Sequence, residues 1–278
     1  MSAALSSELA AHLAAGTAAA LVVVAEVRGS TPREAGAAML VTENRVAGTI
    51  GGGRFEWEAI AEARKLLDLD LERHELAIPL GPGIGQCCGG HVTLLIERAT
   101  ADTLERLAAA EAMERAAYPV VQIFGAGHVG KALATALSLL PFSVRLIDSR
   151  PEEFSGFEAD GVTIILTDRM LVEVEAAPAN AAYVVMTHSH SFDALIASAV
   201  LERGDFGYLG IIGSHSKRKR FMTAFLQQGV SRRDIARIVC PIGGSLVRDK
   251  RPAVIAALTA AELVRVFAAD AASARKVA

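Results

Sequence analysis

Two stretches of this chain carry residue types suited to holding a phosphate or a soft metal. Gly125-Ala126-Gly127-His128-Val129-Gly130 has the G-x-G-x-x-G spacing, follows the apolar run Val120-Val121-Gln122-Ile123-Phe124 and precedes a helical pattern. Alone that spacing is weak, but between a strand and a helix it predicts a turn that cradles phosphate. Gly125 permits the tight turn, Gly127 lets a phosphate approach the backbone, and Gly130 lets the helix pack close to the sheet. The N-terminus of the helix expected over 127–140 supplies free N–H groups and the positive end of the helix dipole, with His128 a candidate contact. Asp148 ends the next strand, about 20 residues on, where an acid commonly meets a ribose hydroxyl. The second stretch, residues 81–90, holds five glycines, one proline and the adjacent Cys87 and Cys88, preceded by Gln86. A thiolate beside free backbone N–H groups is a good soft-metal ligand; the competing reading is a small buried apolar side chain. Adjacent cysteines fit poorly as a structural disulfide.

Further polar groups fall just after apolar runs. Gly51, Gly52 and Gly53 precede a helix start with Glu56 and Glu58 in its first turn. They form a second candidate anion cradle, although first-turn acids are also ordinary dipole partners. Ser30, Thr31 and Arg33 lie on a neighbouring loop. In Thr187-His188-Ser189-His190-Ser191-Phe192-Asp193 the two histidines are candidate ligand contacts, and Asp193 is a candidate helix cap. Gly213-Ser214-His215-Ser216-Lys217-Arg218 offers Ser214 and Lys217 to an anionic ligand. No second cysteine pair stands at zinc spacing.

Positioning these groups requires two kinds of architecture. Up to residue 117, strands are expected at 20–27, 37–42, 46–50, 74–79 and 91–97, with helices at 3–16, 54–69 and 101–117, the last connecting two domains. From residue 118 strands at 119–124, 143–148, 162–166, 182–187 and 207–212 alternate with helices, which implies a parallel sheet covered on both faces. Its carboxyl edge is where ligands bind. A final helix is expected over 251–268. The fold class is therefore α/β: an N-terminal α/β domain, 1–117, with glycine/cysteine-rich loops, and a C-terminal Rossmann-like domain, 118–278.

A net charge of −3 gives no electrostatic case for nucleic acid or an anionic membrane. Three cysteines are a poor disulfide framework. With no spanning apolar stretch and no basic leader, the chain is expected to be cytoplasmic, and a homodimer is the default assembly.

In ordered motifs the chain resembles the XdhC/CoxI family. The first domain carries Gly29-Ser30-Thr31-Pro32-Arg33, Gly48-Thr49-Ile50-Gly51-Gly52-Gly53 with Glu56, and Gln86-Cys87-Cys88-Gly89-Gly90. The second carries Phe124-Gly125-Ala126-Gly127-His128-Val129-Gly130, Asp148-Ser149-Arg150, Thr187-His188-Ser189-His190, Ile212-Gly213-Ser214, Lys217-Arg218 and Pro241-Ile242-Gly243. The segment Gly244-Ser245-Leu246-Val247-Arg248-Asp249 departs from the family's short apolar turn. The resemblance implies a chaperone that binds the molybdenum cofactor (molybdopterin) while a NifS-like cysteine desulfurase supplies sulfur, and that delivers it to xanthine dehydrogenase. Cys87 or Cys88 would then contact molybdenum, and the 125–130 turn would hold the cofactor's phosphate. Two rivals stay open at this point: an NAD(P)-dependent oxidoreductase using the same turn, and a nucleotide-sensing regulatory module.

Overall fold

A computed structural model describes residues 4–80, 90–244, 247 and 249–277. Gln86, Cys87 and Cys88 lie outside the described residues, as do positions 245, 246 and 248. The chain divides into two compact units, residues 2–116 and 117–278.

In the first unit the β-branched runs become strands β1 (Ala19–Arg28), β2 (Ala38–Thr42), β3 (Val46–Gly48), β4 (Arg73–Pro79) and β5 (His91–Arg98). They form one sheet in the order β3-β2-β1-β5-β4, each neighbouring pair antiparallel. Alternation along a strand sends successive side chains to opposite faces. Met39 and Val41 of β2 therefore join Val22, Leu94 and Ile96 in a core closed by helix α2 (Gly53–Asp68) through Phe55, Ala59, Ala63 and Leu66. Leu40 faces the other way, where Leu9 of α1 (Leu5–Ala14) and Leu104 and Leu107 of α3 (Ala101–Ala116) cover it. The helix expected to connect two domains is thus a packed member of the first: it lies on α1, and Ser6 N–H donates to Glu111 at 3.2 Å.

In the second unit β6 (Val120–Phe124), β7 (Ser143–Asp148), β8 (Val162–Leu166), β9 (Ala182–Val185), β10 (Tyr208–Ile211) and β11 (Ile238–Val239) form a parallel sheet in the order β11-β10-β9-β6-β7-β8. Helices α4 (His128–Leu137) and α9 (Pro252–Val277) cover one face through Leu133, Leu137, Ala260 and Leu263. Helices α5 (Met170–Ala176), α6 (His190–Arg203), α7 (His215–Gln227) and α8 (Arg232–Ala236) cover the other through Val174, Ile196, Val200, Phe225 and Ile235. From β6 the chain winds one way to β7 and β8, then crosses to β9 and winds the other way. The reversal falls between β6 and β9, the switch point where such sheets open a crevice at their carboxyl edge.

Candidate functional site

The glycine turn between β6 and α4 is shaped by three different requirements. Gly125 has φ 114°, and a Cβ there would stand 2.3 Å from the Met186 carbonyl oxygen at the end of β9. At Gly130 a Cβ would come within 1.9 Å of the Gly125 oxygen, so the first turn of α4 lies directly on the turn. Gly127 differs from both: its φ is −69°, and a Cβ would meet nothing within 4 Å. The backbone there faces open space at a helix N-terminus, the arrangement that accepts a phosphate. His128, exposed, begins the helix.

Asp148 sits where the sequence placed it, at the end of β7, but its carboxylate is already full. It is 1% exposed. Oδ2 accepts from the Ala126 N–H at 2.7 Å and from Arg150 Nη2 at 2.8 Å, and Oδ1 accepts from the Arg150 N–H and Nε, both at 3.0 Å. Four donors occupy the roughly four lone-pair sites of a carboxylate. The expected ribose hydroxyl therefore finds no free acceptor here, and the acid ties the glycine turn to the loop after β7 instead. Burial raises the Asp148 carboxyl, but the Arg150 guanidinium and the Ala126 and Arg150 N–H groups outweigh it and hold the group below the usual carboxylate range. Arg150 also pairs with Glu153 at 2.9 Å, and Glu153 meets Lys131 of α4 at 3.2 Å.

The triplet Gly51, Gly52 and Gly53 does form an anion cradle, and the protein fills it with its own acid. Glu56 Oε2 accepts from the Ile50 N–H at 2.9 Å, from the Gly52 N–H at 3.1 Å and from the Thr49 hydroxyl. All three glycines have positive φ, and a Cβ on Gly51 would strike Pro32 at 2.5 Å. In this structure the anion at the cradle is an internal one, Glu56. Burial raises the Glu56 carboxyl, but the Thr49 hydroxyl and the N–H groups of Ile50, Gly52 and Gly51 bring it below its ordinary value. Its stabilising effect is then present above the unfolded value and lost as pH falls through the folded one. Glu56→Gln is expected to cost about 1–2 kcal/mol at pH 7, with the difference shrinking as pH falls below the unfolded value, about 4.3; urea unfolding across that range checks it.

After β9 the loop residue His188 is exposed, as is His190 at the start of α6, and the His188 ring lies 6.2 Å from that of Phe192. Ser214 caps α7, its hydroxyl accepting from the Lys217 N–H at 3.3 Å. Asp193 does not cap α6. It is fully buried, and its Oδ1 accepts from the N–H and the hydroxyl of Thr187 at 2.9 and 2.8 Å, bracing the loop that carries the histidines. Cys240 is buried beside Gly213 and Lys217; burial raises its thiol, with Arg218 and Lys217 opposing.

The fold thus brings Gly125, Gly127, His128 and Gly130 together with His188, His190, Ser214 and Lys217 along the carboxyl edge of three adjacent strands, β6, β9 and β10. Gly51, Gly52 and Gly53 belong to the other unit. Sequence reasoning missed Arg150 as the partner of Asp148 and Asp193 as a buried brace. Arg150 was visible in the motif Asp148-Ser149-Arg150, whereas nothing in the sequence marks Asp193 as buried. Among the described residues no three His, Cys, Asp or Glu side chains are placed to hold a metal ion, and no helix is long and apolar enough to cross a membrane.

Comparison with known proteins bears on the same residues. Residues 121–263 match the model of the XdhC Rossmann domain, and residues 12–74 match that of the XdhC and CoxI family. The chain is 25% identical over 251 residues to the uncharacterized protein YqeB of Escherichia coli; the match covers 89% of this chain and 43% of that protein, so the chain spans less than half of the relative's length. In fold it resembles a crystal structure described as a xanthine dehydrogenase from Bacillus halodurans, with a TM-score of 0.75, 19% identity, and coverage of 95% of this chain and 96% of that one.

Proposed function

The chain belongs to the XdhC and CoxI family, and from that premise we propose that it is an accessory protein of xanthine dehydrogenase that holds the molybdenum cofactor before insertion. The observation that supports the reading is the open space in front of Gly127 at the start of α4, where a Cβ would meet no protein atom. The residues of this turn fit the phosphate end of that group: the backbone at Gly127 faces open space at a helix N-terminus, and Gly130 lets the helix lie close on the turn. When bound, the group supplies a molybdenum centre able to carry a sulfido ligand. The chain's own part is to bind and orient: Gly127 and His128 take the phosphate, and Asp148 with Arg150 holds the turn in shape. Cys87 or Cys88 contacts molybdenum in this reading, a NifS-like cysteine desulfurase supplies the sulfur, and a cytoplasmic homodimer is the working form. The full Asp148 carboxylate weighs against the NAD(P)-dependent rival, because the acid that commonly meets a ribose hydroxyl is engaged within the protein.

The test is anaerobic ultrafiltration of the reduced protein with molybdenum cofactor, with retained metal measured by mass spectrometry. Near-stoichiometric retention is expected, falling about tenfold in Cys87→Ala/Cys88→Ala, as loss of a soft ligand should cause. No retention by the wild-type protein, together with NAD(P) binding, would overturn the reading.

A further inference from the structure

Three neighbouring helices of the second unit begin on histidine: α4 at His128, α6 at His190 and α7 at His215, after the adjacent strands β6, β9 and β10. Behind the second of these lies an unexplained atom. Asp193 is 0% exposed, and while its Oδ1 is held by Thr187, its Oδ2 is buried with no hydrogen-bond partner. Native proteins rarely leave such an atom unmet without a use for it. His190 Nδ1 stands 3.9 Å from it, on a side chain 70% exposed.

We infer that the starts of α6 and α7 form a second oxyanion subsite, taking a phosphate or phosphate monoester, in which His190 donates to a phosphate oxygen and Asp193 is its positioning residue. Closing the gap to about 2.9 Å would make an Nδ1–H···Oδ2 hydrogen bond, and in the imidazolium form Nε2–H is left as the donor for the ligand. Catalytic and binding contacts of this kind are often long before the ligand arrives. An imidazolium at a helix N-terminus is opposed by the dipole; a carboxylate directly behind it removes that opposition.

Lys217, in the first turn of α7, supplies the rest of the charge. It is half-buried, and among the described residues its ammonium makes no hydrogen bond or ion pair. Burial pushes the Asp193 carboxyl up, with Thr187, Lys217 and His190 drawing it down. Arg218 is already committed, donating to the Ile238 and Cys240 carbonyls at 2.9 and 3.3 Å. The titratable groups around the subsite are therefore Asp193 and His190 from α6, His215 and Lys217 from α7, His188 from the loop after β9, and the Cys240 thiol after β11. With His190 protonated their formal charges leave one net positive, which suits a phosphate. The subsite stands whatever ligand the α4 turn holds.

Backbone and imidazole NMR of the whole chain, titrated with inorganic phosphate and separately with AMP, tests this. Phosphate is expected to shift the amides of residues 190, 191 and 215–217. Asp193→Asn should weaken that binding at least fivefold and change the His190 ring nitrogen signals, which a purely structural role would leave alone. His190→Gln, at an exposed position, and Lys217→Gln, at a half-buried one, should weaken it by about tenfold and carry the test if Asp193→Asn does not fold. AMP stronger than phosphate at these amides marks an ester as the ligand, and the reverse marks the free ion. Shifts confined to the amides of residues 126–129, or unchanged affinity in His190→Gln and Lys217→Gln, would overturn the subsite. Either result leaves molybdenum retention as a separate question.

Discussion

Gly127→Ala and Gly130→Ala are expected to fail in opposite ways. The new methyl at Gly130 would lie 1.9 Å from the Gly125 oxygen, with backbone on both sides of the clash. The first turn of α4 must then lift off the glycine turn, at a cost of about 2–3 kcal/mol and with loss of the phosphate cradle. At Gly127 the methyl meets no atom within 4 Å and φ is −69°, a value any residue adopts. Stability should therefore stay within about 0.5 kcal/mol of wild type, while the methyl fills the space a phosphate oxygen needs. Thermal unfolding and phosphate-ligand binding, measured on both variants, separate the outcomes. A Gly127→Ala protein that binds as wild type does would remove the turn from the site.

The second large effect belongs to Asp148. Asp148→Asn replaces an acceptor of four hydrogen bonds with a group that has one oxygen and must point N–H groups at Arg150 or Ala126. Removing one partner of a buried pair is costly, about 3–5 kcal/mol. Here Arg150 is 29% exposed and can turn to water, which brings the expected loss at pH 7 to about 2–3 kcal/mol. The carboxyl is lower in the folded protein than its ordinary value. Its contribution is therefore complete above the unfolded value, about 3.9, and disappears as pH falls through the folded one. Wild type and variant should converge in urea midpoint as pH drops below 4; a gap that stays constant with pH would show that the charge is not what stabilises the turn.

Much of this arrangement was legible from residue order. Runs such as Val120-Val121-Gln122-Ile123-Phe124 and Ala182-Tyr183-Val184-Val185 are buried strands because both faces of a parallel sheet are covered, leaving no polar alternation to interrupt them. The glycine fingerprint was legible because each glycine answers a local steric demand. The two-residue strand β11 was not, since Ile238 and Val239 are too few to show any period. Helix α3 resembled a connector because its alanines and charges give only a weak apolar face, and its place on α1 depends on Leu104 and Leu107 finding Leu9 across nearly a hundred residues. Glu56 and Asp148 were found as acids beside glycine turns, but whether such an acid faces a ligand or closes the turn itself depends on side-chain direction. For Asp148 that direction is set by Arg150 two positions on. For Asp193 it is set by Thr187, six positions back and across a loop.

The hairpin that carries the cysteine segment is closed below it. Strands β4 and β5 stay in register from Arg73 opposite Glu97 to Pro79 opposite His91, and the Leu80 N–H then donates to the Gly90 oxygen at 2.8 Å. That rung is made by the residues on either side of positions 81–89, which lie outside the described residues. Lengthening a connection across such a rung is cheap, about 0.6 kcal/mol for each doubling, and the strands on either side need not readjust. In modular terms the sheet carries its own closure: β4 and β5 pair by their own rules up to Leu80 and Gly90, whatever sequence joins those two residues.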